Sequence, residues 1–149
     1  MSFTKIGDKL YLGSKPTLEI LNKLNINVVF NVARENKINC FKDCGFDVYN
    51  FEWDDFPEFN IFIDGEIEKV EEVLNNLIES DKIIYVHCLA GASRSPTLII
   101  FHYMKRYNMT YIDSYSLIKK LRPNIDVNPE FCDSLSNWCD NISFSKMFE

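Results

Sequence analysis

The sequence predicts a single α/β domain in which a central sheet, mixed but mainly parallel, is flanked by helices. Apolar residues make up 46% of the 149 residues, a share that allows a substantial buried core. Short β-branched runs alternate along the chain with longer segments of helical periodicity, as in layered α/β domains. No internal repeat, low-complexity tract or Pro/Ser-rich linker divides the chain, so we treat residues 1–149 as one domain.

Four strands are predicted from short apolar or alternating runs. Residues 8–13 suit a short strand that a glycine turn closes. Residues 27–33 are apolar and β-branched, which is typical of a buried strand, and residues 46–53 alternate. Residues 82–87 are almost wholly apolar and are predicted to form a central strand.

Helices are predicted between and after these strands. Apolar side chains at positions 63, 67, 70, 74 and 77 recur at helical spacing, with charged residues between them. The helix that follows the central strand is apolar on most faces, so we expect it to be largely buried. The predicted helices are residues 17–24, a segment that starts at residue 63, and residues 96–107, 111–121 and 129–138.

Charge and cysteine content narrow the functional class. The net charge is −6 and no basic cluster is present, which argues against binding of nucleic acid or an anionic membrane. The five cysteines are an odd number, and "MSFTKIGDKL" does not resemble a secretory leader. No apolar run approaches the roughly 20 residues that span a membrane. We expect a monomer in a reduced intracellular compartment, the cytoplasm or also the nucleus.

The segment at positions 86–96, "VHCLAGASRSP", brings together several residue types that take part in catalysis. It lies between a predicted buried strand and a predicted buried helix. Such a turn directs backbone N–H groups and a helix N-terminus into one small space, which favours an anion. Gly91 suits a backbone that curls round a ligand, and Pro96 suits the first turn of the helix.

Cys88 and Arg94 occupy the two ends of this loop. A helix N-terminus and a nearby arginine favour the thiolate form of a cysteine, which is its nucleophilic form. An arginine six residues on can bind an oxyanion through two parallel hydrogen bonds. The loop therefore predicts nucleophilic attack on a phosphate ester, and the alternative is a buried core cysteine near a solvated arginine. We expect no cofactor and no metal, since the sequence offers no ligand cluster.

The segment "HCLAGASRSPTLIIFHYM" resembles the dual-specificity (tyrosine and serine/threonine) subfamily of cysteine-dependent protein phosphatases. "KIGDKLYLGS", "VVFNVARE" and "LRPNIDVNPEF" resemble other segments of that family, although the family usually has Pro-Asn where Val127-Asn128 stands here. The resemblance implies a phosphotyrosine-phosphatase-like fold with a Cys-x5-Arg loop. Because no docking domain is evident, the small atypical type is the nearest match.

The leaving oxygen needs a proton, which a positioned carboxylic acid supplies best. The resemblance implies an aspartate on a loop some thirty residues before the cysteine, where both Asp54 and Asp55 lie. Family members commonly have this aspartate five residues ahead of a polar residue and an isoleucine. Asp55 with Asn60 and Ile61 fits that pattern, so we prefer Asp55 and keep Asp54 as the alternative.

The resemblance also implies roles for the neighbours of Cys88. Ser95 supports the sulfur as a leaving group in the second step, while His87 braces the loop and favours the thiolate without touching substrate. The predicted phosphate-binding residues are Leu89, Ala90, Gly91, Ala92, Ser93 and Arg94. The partner implied is a phosphorylated protein.

Two other functions stay open at this point. The first is hydrolysis of a non-protein ester, such as a phosphoinositide or an RNA 5′ end. Uncharged side chains at positions 89, 90, 92 and 93 and the acidic net charge argue against such polyanions. The second is a catalytically silent module that binds phosphoproteins, which is disfavoured because cysteine, arginine and acid candidates are all present.

Other conspicuous residues are predicted to be structural. Cys40 and Cys44 are four apart but have no further Cys or His partners for a metal, and a redox role toward Cys88 is only an alternative. His102 is predicted to be a packed or hydrogen-bonded core residue. Trp53 is predicted to pack in the core rather than to shape the rim of a pocket.

Overall fold

The computed structural model describes residues 2–36, 40–56 and 58–146, and for residues 139–146 it describes the backbone alone. A five-stranded sheet in the order β1-β2-β5-β3-β4 runs through this part of the chain. The first two strands are antiparallel, and all other neighbours are parallel. The predicted mixed, mainly parallel sheet is therefore confirmed. The strands are β1 (Phe3–Gly7), β2 (Leu10–Gly13), β3 (Val28–Asn31), β4 (Asp47–Asn50) and β5 (Ile84–His87).

Helices flank the sheet on both faces, as predicted. They are α1 (Leu18–Lys23), α2 (Cys40–Asp43), α3 (Glu66–Glu79), α4 (Arg94–Arg106), α5 (Tyr111–Leu121) and α6 (Pro129–Lys146). None of these helices, within the residues described, is long and apolar enough to cross a membrane.

Side chains of the central strands alternate between two apolar cores. On β5, Ile84 and Val86 join the larger core formed with α3 to α6, while Tyr85 points into the smaller core beside α1 and α2. On β3, Val28 and Phe30 join the larger core and Val29 joins the smaller one. Burial on both faces explains why these strands are continuous apolar runs in the sequence.

The parallel strands end together at one edge of the sheet. His87, the last residue of β5, is in register with Gly13 of β2 and with Asn31 of β3. The segments that follow these strands therefore leave the sheet side by side. In open α/β sheets this carboxyl edge is where ligands bind.

Several elements differ from the sequence prediction: helix α2 was not predicted, and α6 continues to Lys146, past the predicted end at residue 138. Strand β1 was not predicted, and it pairs with β2 to form an antiparallel hairpin. The helix predicted from residue 63 begins only at Glu66, because Asp64 and Gly65 have φ values of 53° and 71° and interrupt it. Ile63 lies before this interruption and is largely exposed, so it does not belong to the apolar face of α3.

The start of α3 depends on the left-handed backbone at Gly65. We expect Gly65→Ala to lower the free energy of unfolding by about 1 kcal/mol, because a side chain disfavours positive φ. A β-carbon at this position meets no atom within 4 Å, so the cost is conformational and not steric. Urea unfolding measures it.

Gly7→Ala is the matched control. A β-carbon at Gly7 also meets no atom within 4 Å, and Gly7 is not among the glycines with positive φ. We expect its effect to stay within about 0.5 kcal/mol. Equal effects of the two substitutions would contradict the conclusion that the start of α3 depends on the left-handed backbone at Gly65.

Candidate active site

The loop between β5 and α4 carries the predicted nucleophile and the predicted arginine. Cys88 follows β5 directly and is only 2% exposed, and Arg94 is the first residue of α4. Ser93, at the N-cap position, makes no side-chain capping bond to the helix. The first amides of α4 therefore keep their hydrogen-bonding capacity for a ligand.

Every carbonyl of residues 88–93 accepts a hydrogen bond from the surrounding scaffold. The side-chain amide of Asn36 and Nδ1 of His87 donate to the carbonyl of residue 88, and the Lys15 N–H donates to that of residue 89. The Arg122 guanidinium donates to the carbonyls of residues 90 and 91. The Asp126 N–H donates to that of residue 92, and the N–H and hydroxyl of Thr97 donate to that of residue 93. In a trans peptide the following N–H points the opposite way from the carbonyl. The amides of residues 89–94 are therefore directed toward the inside of the loop.

Gly91 lies where the loop packs closely against Gly13 of β2 and against Arg122. Its φ is 67°, and a β-carbon there would stand 2.5 Å from the carbonyl carbon of Gly13 and 2.6 Å from Arg122 Nη2. The loop can therefore pack against β2 and Arg122 only with glycine at this position.

Arg122 supports the loop from behind and was not predicted from the sequence. It is 2% exposed, and its Nε donates to the carbonyl of Gly91 at 2.8 Å. Its two terminal nitrogens donate to the hydroxyls of Ser2 and Thr4 at 2.8 and 3.1 Å. One buried guanidinium thus joins the loop to the first strand, and no local pattern in the sequence indicated this contact.

Ser95 lies next to the thiol, as the resemblance implied. Its hydroxyl oxygen is 3.1 Å from Cys88 Sγ. When the sulfur is ionised it can only accept, so the serine hydroxyl donates to it. This contact stabilises negative charge on the sulfur.

His87 contacts the loop through the backbone of its neighbour. Its Nδ1 lies 3.0 Å from the Cys88 carbonyl oxygen, which can only accept, so Nδ1 carries the proton. Burial lowers the pKa of His87 to about 4, and the hydrogen bond to the Cys88 carbonyl only partly offsets this effect. The imidazole is therefore neutral at pH 7 and acts on the loop as a hydrogen-bond donor, not as a charge.

Arg94 is 5% exposed and its guanidinium is held by two groups. Nη1 and Nη2 donate to the two carboxylate oxygens of Glu35 at 2.5 and 2.7 Å, and Nη1 also donates to the Trp53 carbonyl at 2.9 Å. The hydrogen bond from Arg94 holds the pKa of Glu35 below its usual range. Glu35 lies in the quoted segment "VVFNVARE", but its position in the site was missed because its partner is distant in sequence.

The two candidate acids have different partners. Asp55 accepts a hydrogen bond from the Ser93 hydroxyl at 2.8 Å, so its carboxylate touches the 88–94 loop. Asp54 accepts from Arg34 Nε at 3.0 and 3.2 Å. The structure thus brings Asp55 to the predicted nucleophile loop and engages Asp54 with an arginine outside it.

A pocket of about 300 Å³ opens beside Arg94. Its walls are formed by Arg34, Glu35, Asp54, Asp55, Phe56 and Arg94. The described side chains include no group of three or more His, Cys, Asp or Glu residues placed to hold a metal ion. Arg94 brings a buried cation to this pocket, and it is also the last residue of the loop whose amides converge, so the two together suit a tetrahedral oxyanion.

The residues that were predicted to be structural have these environments. His102 is buried and its Nδ1 lies 2.8 Å from the buried carboxylate of Glu71, so the core assignment is confirmed. Trp53 is buried in the larger core, as predicted, and its carbonyl accepts a hydrogen bond from Arg94. Cys40 and Cys44 are exposed free thiols.

Comparisons with known proteins agree with this geometry. The family model for the dual specificity phosphatase catalytic domain matches residues 10–141. Dual specificity protein phosphatase 9 of Homo sapiens is 32% identical over 136 residues, which are 85% of this chain and 33% of the human protein. Protein-tyrosine-phosphatase IBR5 of Arabidopsis thaliana is 37% identical over 70 residues, 46% of this chain and 27% of that protein.

The chain thus spans about a third or less of the length of these two relatives. The crystal structure of human DUSP28 superposes with a TM-score of 0.80 at 18% identity and covers 95% of both chains. At that identity the likeness supports the fold alone.

The low pKa of His87 makes stability depend on pH. The folded chain resists protonation of His87 down to about pH 4, whereas the unfolded chain takes up the proton near its ordinary value of 6.5. Stability is therefore lost as the pH falls through this window. Between pH 7 and pH 5, we expect the free energy of unfolding to fall by roughly 2 kcal/mol more in the wild type than in His87→Asn.

Urea unfolding at several pH values measures the difference. Asparagine keeps an N–H donor for the Cys88 carbonyl but does not titrate, and the two proteins differ at no other position, so the difference in pH dependence reports residue 87 alone. Parallel pH dependence in the two proteins would contradict a buried neutral His87.

Proposed function

The chain belongs to the dual specificity phosphatase family, and from this premise we propose that it is a protein phosphatase. Its substrates are phosphotyrosine and also phosphoserine and phosphothreonine in proteins, and the reaction passes through a cysteinyl-phosphate intermediate without a metal. The observation that carries the proposal is the 88–94 loop, where each carbonyl of residues 88–93 is bound outward beside the buried Cys88 and Arg94.

In the first step the Cys88 thiolate attacks phosphorus and the ester P–O bond breaks. Arg94 and the amides of residues 89–94 hold the three equatorial oxygens and stabilise their charge in the transition state. Asp55 gives its proton to the departing oxygen. The hydrogen bond from Ser93 to Asp55 supports this assignment, because it holds the carboxyl at the edge of the loop.

In the second step water attacks phosphorus and the P–S bond breaks. Asp55, now ionised, takes a proton from this water, so phosphate is released and the acid is restored. The sulfur leaves as a thiolate that accepts a hydrogen bond from Ser95 at 3.1 Å. His87 braces the loop as a neutral donor to the Cys88 carbonyl.

The pocket wall supports an aryl phosphate in a protein over a polyanion. Phe56 is 55% exposed and offers apolar surface to a tyrosyl ring. Among the described lining residues, Arg34 is paired with Asp54, and Arg94 with Glu35. A substrate with several phosphates therefore meets carboxylates and already paired cations at this mouth.

We further propose that residues 1–149 form one catalytic domain, which acts as a monomer in the reducing cytoplasm. The match of the family model over residues 10–141 supports one domain. Free thiols at Cys40, Cys44, Cys88 and Cys132 support a reducing compartment. The proposed partner is the phosphorylated protein, with neither nucleic acid nor membrane.

The first test is the pH profile of kcat/KM on an aryl phosphate without added metal. We expect Cys88→Ser to be inactive, because it removes the nucleophile. Asp55→Asn is expected to lose about 10²–10⁴-fold and to lose the high-pH limb of the bell-shaped profile, which reports deprotonation of the acid. Phosphotyrosine and phosphothreonine peptides then measure the breadth of the specificity.

Asp54→Asn is the matched neighbour for this test. If Asp54→Asn and not Asp55→Asn abolishes the high-pH limb, Asp54 is the acid and our assignment is wrong. A wild type that binds phosphopeptides without hydrolysing them would instead establish a binding module. Activity on phosphoinositides alone would establish a non-protein substrate.

Ser95→Ala tests the second step separately. Without the hydroxyl 3.1 Å from the sulfur, expulsion of the thiolate is slower while attack on phosphorus is retained. We expect a burst of the aryl alcohol followed by a steady rate about 10–100-fold below that of the wild type. Stopped-flow absorbance shows both phases, and an unchanged steady rate would remove Ser95 from the mechanism.

A further inference from the structure

Arg94 and Glu35 form a bidentate pair across 59 residues of sequence. The guanidinium is 5% exposed, whereas the carboxylate is 47% exposed. Glu35 belongs to a short 3-10 turn, Arg34–Asn36, so its backbone is already ordered where it meets the arginine. The pair therefore joins the turn after β3 to the first residue of α4.

The pair occupies one edge of the arginine and leaves another available. A planar guanidinium offers two pairs of parallel donors, one from Nη1 and Nη2 and one from Nε and Nη2. Glu35 binds the first pair, and the Trp53 carbonyl takes the remaining hydrogen of Nη1. Nε is fully buried and has no hydrogen-bond partner among the described residues.

A buried donor without a partner carries a desolvation cost unless a ligand binds it. Nε belongs to the residue that lines the pocket, and its edge retains one hydrogen on Nη2. Two parallel donors at this spacing match two oxygens of a phosphate. The geometry therefore indicates that the Nε–Nη2 edge is the one that binds substrate.

We propose that Glu35 is a positioning residue, which holds the outer edge of Arg94 so that the Nε–Nη2 edge faces the substrate phosphate. The inference rests on the proposed function, whose reaction requires a bound phosphate, but it concerns a residue outside the 88–94 loop. Glu35 does not touch the phosphate. It acts by removing the alternative orientations of the guanidinium.

The turn that carries Glu35 is itself fixed to the nucleophile. Asn31 donates to the carbonyls of Ala33 and Asn36 at 3.1 Å and accepts from the Ala33 N–H at 2.9 Å. Asn36 then donates to the Cys88 carbonyl at 3.0 Å. Glu35 and Asn36, consecutive residues of one turn, therefore fix the positions of the Arg94 guanidinium and of Cys88 relative to each other. In-line attack depends on the distance between these two groups.

The test is Glu35→Gln, which removes the charge and one of the two acceptor oxygens while nearly keeping the shape. We expect kcat/KM on an aryl phosphate to fall about 10–100-fold, because a misdirected arginine loses its contact with the transition state. The Kd for tungstate, a tetrahedral oxyanion measured by calorimetry, should rise about tenfold. Since Glu35 is half exposed, the variant should keep the wild-type melting temperature.

A double-mutant cycle separates positioning from a general structural role. Lysine has no second edge to orient, so Glu35→Gln added to Arg94→Lys should change kcat/KM by less than about twofold. Glu52→Gln is the matched control, because its carboxylate is 48% exposed and lies 3.6 Å from Arg34. It removes the same charge nearby and should leave kcat/KM and tungstate binding unchanged.

The outcomes distinguish this inference from the proposed function. An active wild type with an unaffected Glu35→Gln overturns the positioning role and leaves the phosphatase proposal intact. An equal loss in the Arg94→Lys background, or an equal loss in Glu52→Gln, also overturns it. A wild type that binds tungstate but hydrolyses nothing refutes the phosphatase proposal, and weaker tungstate binding by Glu35→Gln would still support the orientation of Arg94.

Discussion

The structure of the site depends on the orientation of the peptide groups in residues 88–93. Peptide groups are rigid, so each outward carbonyl commits the following N–H to the inside of the loop. The carbonyls are held by donors from six parts of the chain, which lie before α1, after β3, at the end of β5, within α4, at the end of α5 and before α6. Amides that converge without an acceptor are unfavourable, because each buried donor left unpaired costs roughly 1–3 kcal/mol of desolvation free energy. The scaffold offsets this cost and so preserves an anion site before any ligand arrives.

The sheet supplies the reason that these supports can meet. Parallel strands β2, β3 and β5 end in register, so the segments after them lie within hydrogen-bonding distance of one another. Lys15 follows β2 and Asn36 follows β3, and both donate to carbonyls of the loop that follows β5. His87 ends β5 and is buried without charge, so it adds a donor to the loop without adding a further positive charge there. The position of the site is thus a consequence of strand order.

Features formed by neighbouring residues could be predicted from the sequence, whereas contacts between residues far apart in the chain were missed. The loop, its strand and its helix are contiguous, and helix α5 has the predicted bounds because its periodicity and its Thr110 cap are local. Glu35 and Arg122 act on residues 59 and 31 positions away, and no spacing rule connects such pairs. The start predicted for α3 was wrong because apolar spacing does not register a left-handed residue such as Asp64. Whether Asp54 or Asp55 touches the loop also depends on tertiary contacts, which sequence alone left open.

Helix α4 is held by a carboxylate at each end. At its first residue, Arg94 binds Glu35, and at its last residue, Arg106 binds the fully buried Glu71 at 2.8 to 3.1 Å. Burial raises the pKa of Glu71, but hydrogen bonds from His102 and Arg106 bring it below the usual range, so the carboxylate is ionised. Each pair has one buried and one partly exposed partner; such pairs contribute little net stability compared with apolar packing, yet their bonds are directional. A rotation of α4 about its axis would break both pairs and would displace Arg94 from Cys88. The two carboxylates therefore restrain the same motion from opposite ends of the helix.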